Sequence, residues 1–179
     1  MTNKSSSAPG TAFRIATLAV LTAVTAVFTL VIRIPIAPTR GYLNLGDVAI
    51  YFCAFSFGPF TALAAGGLGT ALADLLSGYA QFAPISLLVH GLQGLVAGLI
   101  ASSGRGGRAE TPLWLLAVCA GTLIMCSGYL AAESLLFGFG AALVELPGNL
   151  LQNLAGALAG IPLALAVRRA YPPIREFRW

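Results

Sequence analysis

The sequence predicts an all-α integral membrane protein, a six-transmembrane-helix bundle with both termini in the cytoplasm. Of its 179 residues, 58% are hydrophobic and only 9% are charged, and the mean hydropathy is +0.86. Soluble domains carry about 25% charged residues, so this chain cannot cover a water-soluble surface. Since a spanning helix needs roughly 20 apolar residues, the length accommodates about six spans and leaves no room for an aqueous catalytic domain.

Apolar runs separated by turn-forming residues define the predicted spans. The first extends from Ala12 to Ile34 and stops at Pro35, and the second, from Asp47 to Phe57, is too short to span without its flanks. The other spans are expected at Phe60–Leu76, Pro84–Ala101, Leu113–Phe137 and Val144–Val167. Small residues four apart, such as Gly94/Gly98 and Gly156/Gly160, predict close packing between the helices.

The segments outside the spans are short, so the chain is predicted to be one membrane domain with two tails. Residues 1–11 are expected to form a disordered cytoplasmic tail, residues 12–168 the six-helix membrane domain, and residues 169–179 a basic cytoplasmic tail.

The distribution of charge predicts the orientation of the bundle. An even number of spans places eight of the ten basic residues on one side, which the positive-inside rule assigns to the cytoplasm: Lys4, Arg14, Arg105, Arg108, Arg168, Arg169, Arg175 and Arg178. The same topology collects four of the six acidic residues near the outer ends of the helices: Asp47, Asp74, Glu133 and Glu145. Because the basic residues sit in short clusters between apolar runs, no nucleic-acid partner is expected.

Polar side chains within the spans are the candidate site, because an ionisable group inside a membrane is costly and marks a pocket or a pathway. Tyr129 and Glu133 lie one helical turn apart on span five, and Asn149, Gln152 and Asn153 share a face of span six. With aromatic walls from Tyr42, Phe82 or Phe137, such a cavity suits a small heterocycle with several donors and acceptors. The alternative is that these groups only hydrogen-bond one helix to another.

Two further ionisable groups carry a weaker signal. Asp74, near the end of span three, could belong to the site, or it could reach interfacial water or cap a neighbouring helix. His90 with Gln93 could form a proton relay, although a lone histidine on an apolar helix is more often hydrogen-bonded for structural reasons.

Enzymatic function is not expected. The chain has one histidine, no HExxH motif, no GxSG motif around Ser127 and no Walker lysine. Its cysteines, Cys53, Cys119 and Cys126, form no CxxC pair, so we predict neither a metal site nor a disulfide, and no cofactor.

Several motifs, in their order and spacing, resemble the substrate-binding S component of energy-coupling factor (ECF) vitamin transporters. They are Gly41–Asp47, Gly58-Pro59, Gly66–Tyr79, Pro84–Gly94, Tyr129–Glu133 and Glu145–Gln152, which together cover nearly the whole chain. The branch that the chain resembles most includes carriers for riboflavin, for the hydroxymethylpyrimidine precursor of thiamine and for pyridoxine-like compounds.

The resemblance implies a substrate-capture subunit of an ABC importer, embedded in the lipid bilayer of the plasma membrane. It implies an outward-facing vitamin pocket covered by the loop after span one, and partners that comprise a transmembrane coupling subunit and two ATPase subunits. Docking to the coupling subunit would use a small-xxx-small motif on the first helix, which Ala12/Ala16 and Ala19/Ala23 both match. With Glu133, Asn149 and Gln152 in the pocket, a pyrimidine or pyridine is favoured over a flavin.

The predicted substrate-binding residues are Tyr42, Asn44, Asp74, Tyr129, Glu133, Asn149, Gln152 and Asn153. Two functions from other classes remain open at this point. In a stand-alone secondary transporter, Glu133 or Asp74 would titrate and couple substrate to protons. In a structural membrane subunit, the polar residues would serve helix association alone.

Overall fold

The computed structural model describes residues 10–104 and 110–178, which form six α-helices, two short strands and one 3-10 helix. The helices are α1 (Thr11–Val31), α2 (Gly46–Ser56), α3 (Pro59–Ser77), α4 (Ala83–Ser102), α5 (Glu110–Phe137) and α6 (Phe139–Ala170). Strands β1 (Ile34–Ile36) and β2 (Gly41–Leu43) join α1 to α2, and the 3-10 helix (Pro172–Phe177) follows α6. Most of the tail predicted at residues 1–11 lies outside the described residues.

Five of the described helices, α1, α3, α4, α5 and α6, are long and apolar enough to cross a membrane. Their outer surfaces are rich in leucine: Leu123 is 70% exposed, Leu135 89% and Leu158 77%. Such a surface would be insoluble in water, but it matches the hydrocarbon of a bilayer.

Helix α2 lies at the centre of the bundle. It has 11 residues, ten of them buried, and it packs against α1, α3, α4 and α6. At about 1.5 Å per residue it is too short to cross the hydrocarbon layer alone. Tyr51 and Phe55, both fully buried, fill the space between the longer helices.

The segment after α1 is a β-hairpin, where only a loop is expected from the sequence. Helix α1 ends at Val31 rather than at Ile34, and Ile34, Pro35 and Ile36 pair antiparallel with Leu43, Tyr42 and Gly41. The backbone is extended from Ile32 onward, and proline at position 35 disfavours helical dihedrals at Ile34, so this segment is free to pair as a strand.

Helix α6 is longer at its start than predicted. It begins at Phe139 instead of Val144, directly after Gly138, whose φ of +89° separates α5 from α6. Glycine adopts this left-handed region without steric cost, so one residue suffices to break the chain between two long helices.

Small residues allow the helices to approach closely, as predicted. A Cβ atom added at Gly94 of α4 would lie 2.6 Å from the carbonyl oxygen of Ala62 in α3. One added at Gly156 of α6 would lie 2.9 Å from the carbonyl carbon of Asp47 in α2. These contacts leave no space for a larger residue at either position.

Candidate substrate-binding site

One end of the bundle encloses a small polar cavity. The carboxyl-terminal halves of α1, α3 and α5, the amino-terminal halves of α4 and α6, and the hairpin surround it. Its free volume is about 20 Å³, room for one water molecule. The lining side chains are mostly polar or aromatic: Thr29, Tyr42, Asn44, Thr70, Asp74, Phe82, Ser86, Met125, Tyr129, Glu145, Asn149 and Gln152, with Gly41.

The hairpin covers the cavity and is hydrogen-bonded to two helices, α3 and α6. The Tyr42 hydroxyl donates to Asp74 Oδ1 at 2.6 Å, and the hydroxyl of Thr39 donates to Glu145 Oε2. The backbone N–H of Asn44, just after β2, donates to Gln152 Oε1 at 2.8 Å. Burial, together with the hydrogen bond to Asp74, raises the pKa of the Tyr42 phenol above its usual range, so this side chain remains a donor.

A buried network of amides lies beneath the cavity and is centred on Asp47. Its Oδ1 accepts hydrogen bonds from Gln93 Nε2 at 2.5 Å and from Asn153 Nδ2 at 3.0 Å, and its Oδ2 accepts one from Gln152 Nε2 at 2.7 Å. His90 Nδ1 lies 2.8 Å from Gln93 Oε1. The network therefore joins α2, α4 and α6 below the site.

Several polar atoms at this end of the bundle are buried without a hydrogen-bond partner among the described residues. They are Asp74 Oδ2, both carboxyl oxygens of Glu133, and Asn149 Nδ2. Glu133 is fully buried, and the carboxyl group of Glu145 lies next to it. A buried polar group without a partner costs about 1–3 kcal/mol, so these atoms are candidates for hydrogen bonds to a substrate.

Comparison with known proteins decides the family. Residues 11–169 match the family described as ECF-type riboflavin transporter, S component. The chain belongs to this family. It is 33% identical over 153 residues to the "Thiamine precursor transporter HmpT" of Lactococcus lactis subsp. cremoris (strain MG1363), covering 85% of this chain and 86% of that one. It is also 35% identical over 150 residues to an uncharacterized protein of Pyrococcus woesei, covering 84% of this chain and 98% of that one.

Membership confirms the resemblance and several consequences of it. The S component is a multi-pass protein of the plasma membrane. It is the subunit of a transporter that binds a vitamin-type substrate, and its family consists of transporter components rather than enzymes. Its partners are a small-molecule substrate and other ECF subunits.

The structure brings together most of the side chains that are predicted from the sequence to form the S component's site. Those that line the cavity are Tyr42, Asn44, Asp74, Tyr129, Asn149 and Gln152. Glu133 does not line it but lies next to Glu145, which does. Asn153 is in the network below, where its Oδ1 accepts from Tyr51 at 2.8 Å.

Other lining residues were not among the predicted substrate-binding residues. Glu145 had a detectable signal, since it lies one helical turn before Asn149 on the same face of α6. Ser86 had no detectable signal, because a single serine on an apolar helix does not indicate a site. Its role is visible only in the structure, where its Oγ lies 2.6 Å from the Tyr129 hydroxyl. Phe82, predicted as a wall, lines the cavity and stacks on Phe137 with ring centroids 5.8 Å apart.

The alanines predicted to dock the S component to its coupling subunit lie on α1. All are exposed: Ala12, Ala16, Ala19 and Ala23. Ala16 borders an apolar groove between α1 and the 3-10 helix, with Phe13 and Phe177 on its sides. The docking role of these alanines stays a prediction.

Proposed function

We propose that this S component is the membrane-embedded substrate-capture subunit of an ECF-type ABC importer, and that it binds a vitamin precursor of the pyrimidine or pyridine type from outside the cell. The observation that supports the proposal is the cluster of buried, unpartnered polar atoms around the covered cavity. The relative from Lactococcus lactis, described as a thiamine precursor transporter, supports the same class of ligand.

The chemistry of the lining favours a ligand rich in hydrogen-bond donors. Asp74 and Glu145 offer acceptor oxygens, Asn149 Nδ2 offers a donor, and the cavity's lining contains no lysine, arginine or histidine among the described residues. An aminopyrimidine presents N–H donors beside ring-nitrogen acceptors, and carboxylates accept well from such amino groups. Phe82 and Tyr129 supply aromatic surfaces on which a planar ring can pack.

Binding requires the hairpin to move. A free volume of about 20 Å³ holds one water molecule and no heterocycle, so the hairpin as the structure has it leaves no space for the substrate. Opening would break the bonds that Tyr42, Thr39 and Asn44 make to α3 and α6. After entry, the same bonds would close the hairpin over the ligand.

The proposed topology has six spans, with α2 as the shortest, and both termini in the cytoplasm. In this arrangement the cavity opens outward, residues 12–168 form the membrane domain, and residues 169–179 form a basic cytoplasmic tail. The coupling subunit and two ATPase subunits would be separate chains, and α1 would meet the coupling subunit through Ala12/Ala16 or Ala19/Ala23.

The first experiment is mass spectrometry of small molecules released from the detergent-purified protein. It is followed by thermal-shift measurements with hydroxymethylpyrimidine, pyridoxine, thiamine and riboflavin. We expect a pyrimidine or pyridine to co-purify or to raise the Tm, because a ligand that binds only the folded state stabilises it. A shift with riboflavin alone would reject the ligand class, and an empty protein without any shift would reject the capture role.

A stand-alone proton-coupled transporter is the second candidate, favoured by one observation. Glu133 and Glu145 are neighbouring buried carboxyl groups, an arrangement that can exchange a proton. Uptake by cells that lack the ATPase subunits, abolished by a protonophore, would support this candidate. Uptake that requires the ATPase subunits would reject it.

A further inference from the structure

A single carboxyl group beneath the cavity controls the orientation of three amides. Asp47, at the start of α2, is fully buried and accepts hydrogen bonds from Gln93, Gln152 and Asn153. A carboxylate offers only acceptors, so every amide that faces it must turn its NH2 group inward. The oxygen of each amide is therefore directed away from Asp47.

The effect of this orientation reaches the hairpin through Gln152. Because Asp47 Oδ2 holds Gln152 Nε2 at 2.7 Å, Gln152 Oε1 is left to accept from the backbone N–H of Asn44 at 2.8 Å. If the amide were flipped, its NH2 group would face the N–H of Asn44, and both donors would lose their acceptors. The closed hairpin thus depends on which way Gln152 points.

The other two amides lead away from the hairpin. Asn153 Oδ1 accepts from the hydroxyls of Tyr51 and Thr122, at 2.8 and 2.7 Å. Gln93 Oε1 lies 2.8 Å from His90 Nδ1. Among these described contacts, only the hydrogen bonds of Gln152 connect Asp47 to the hairpin that covers the cavity.

We infer that Asp47 is a positioning residue, which acts through Gln152 to hold the hairpin closed and to keep an acceptor oxygen at the cavity. Asp47 does not line the cavity, so its effect on the ligand is indirect. The inference rests on the proposed function, in which the hairpin admits and retains the substrate.

The test is hydrogen–deuterium exchange of residues 37–45 in the ligand-free, full-length protein. The variant Asp47→Asn keeps the shape of the side chain but lets Gln152 turn either way. We expect amide exchange in the hairpin to become about five- to tenfold faster, the effect of losing one ordinary hydrogen bond. Tyr51→Phe is the matched control. It removes the hydrogen bond from Tyr51 to Asn153, which does not lead to the hairpin, and should leave hairpin exchange unchanged.

A second substitution that restores hairpin protection would distinguish a positioning role of Asp47 from a role in packing alone. In the double variant Asp47→Asn/Gln152→Glu, a carboxylate at position 152 can accept both from the new amide at position 47 and from the N–H of Asn44. Hairpin exchange is expected to return to the wild-type rate. A role of Asp47 in packing alone predicts no such recovery, and failure of the double variant to restore protection would overturn the inference.

A further variant covers the case in which Asp47→Asn does not fold. Gln152→Met cuts the link to the hairpin while leaving the bonds from Gln93 and Asn153 to Asp47 in place. Unchanged hairpin exchange in this variant would also overturn the inference. Because all of these measurements use ligand-free protein, a failed ligand panel would reject the proposed function without deciding this result.

Discussion

Asn149 is the residue whose truncation best separates binding from folding. Its Nδ2 is buried without a partner among the described residues, so Asn149→Ala removes no hydrogen bond from that atom in the ligand-free protein. We expect a nearly unchanged Tm without ligand and binding of hydroxymethylpyrimidine weakened by about 1–3 kcal/mol, measured by isothermal titration calorimetry.

The control for this prediction is Ser127→Ala, since the Ser127 hydroxyl bonds only to the backbone of its own helix at an exposed position. It should change neither the Tm nor the affinity. Wild-type affinity in Asn149→Ala would remove this residue from the site.

Glu133 lies beside Glu145, which lines the cavity. The substitution Glu133→Gln replaces the carboxyl group next to Glu145 with an amide of the same size. The protein should remain folded, and the affinity for hydroxymethylpyrimidine should fall by about 1–3 kcal/mol, because an acceptor available to the ligand, or to Glu145, is lost. Equal affinity in wild type and variant, determined by the same titration, would assign Glu133 a structural role.

At the scale of the element, the contact between α2 and α6 makes a sharp prediction. Gly156→Ala would drive a methyl group against the backbone of Asp47, so we expect a loss of about 1–3 kcal/mol in stability, typical of overpacking. Gly140→Ala, near the start of the same helix, meets nothing within 4 Å and is the matched control, expected to be neutral or slightly stabilising. Thermal unfolding in detergent measures both, and equal Tm values would contradict the close packing.

The helices could be predicted from the sequence because apolar runs and glycine or proline breaks are local signals. The hairpin could not, because its strands have three residues each and its bonds join Thr39 and Asn44 to side chains more than 100 residues away. Spacing placed Asn149 and Gln152 on one face of α6, but it could not show how far the helix is rotated. That rotation is what puts Asn153 into the lower network instead of the cavity.

At the scale of the whole molecule, the exposed alanines of α1 predict how the S component meets its partner. Replacing one pair by leucine, Ala12/Ala16 or Ala19/Ala23, should prevent close approach of the coupling subunit and abolish co-purification with it. Ligand-induced thermal shifts should persist, since none of these alanines lines the cavity. Val27→Leu, also exposed on α1, is the control. Normal co-purification of both double variants would exclude the alanines from docking.

Orientation in the membrane can be tested with single cysteines in a variant that lacks the native ones. Arg40→Cys, in the turn of the hairpin, should react with a membrane-impermeant maleimide on intact cells. Arg169→Cys, at the exposed end of α6, should react only after the cells are opened. The reverse pattern would invert the topology, and labelling of both residues from outside would contradict an even number of spans.

The small volume of the cavity has a kinetic consequence. If only a minor fraction of molecules is open at any moment, the observed association rate falls in proportion to that fraction, and so does the apparent affinity. A substitution that loosens the cover would then speed both entry and escape of the vitamin. The hydrogen bonds from the hairpin to Asp74, Glu145 and Gln152 would therefore set a compromise between fast association of a scarce nutrient and its slow dissociation.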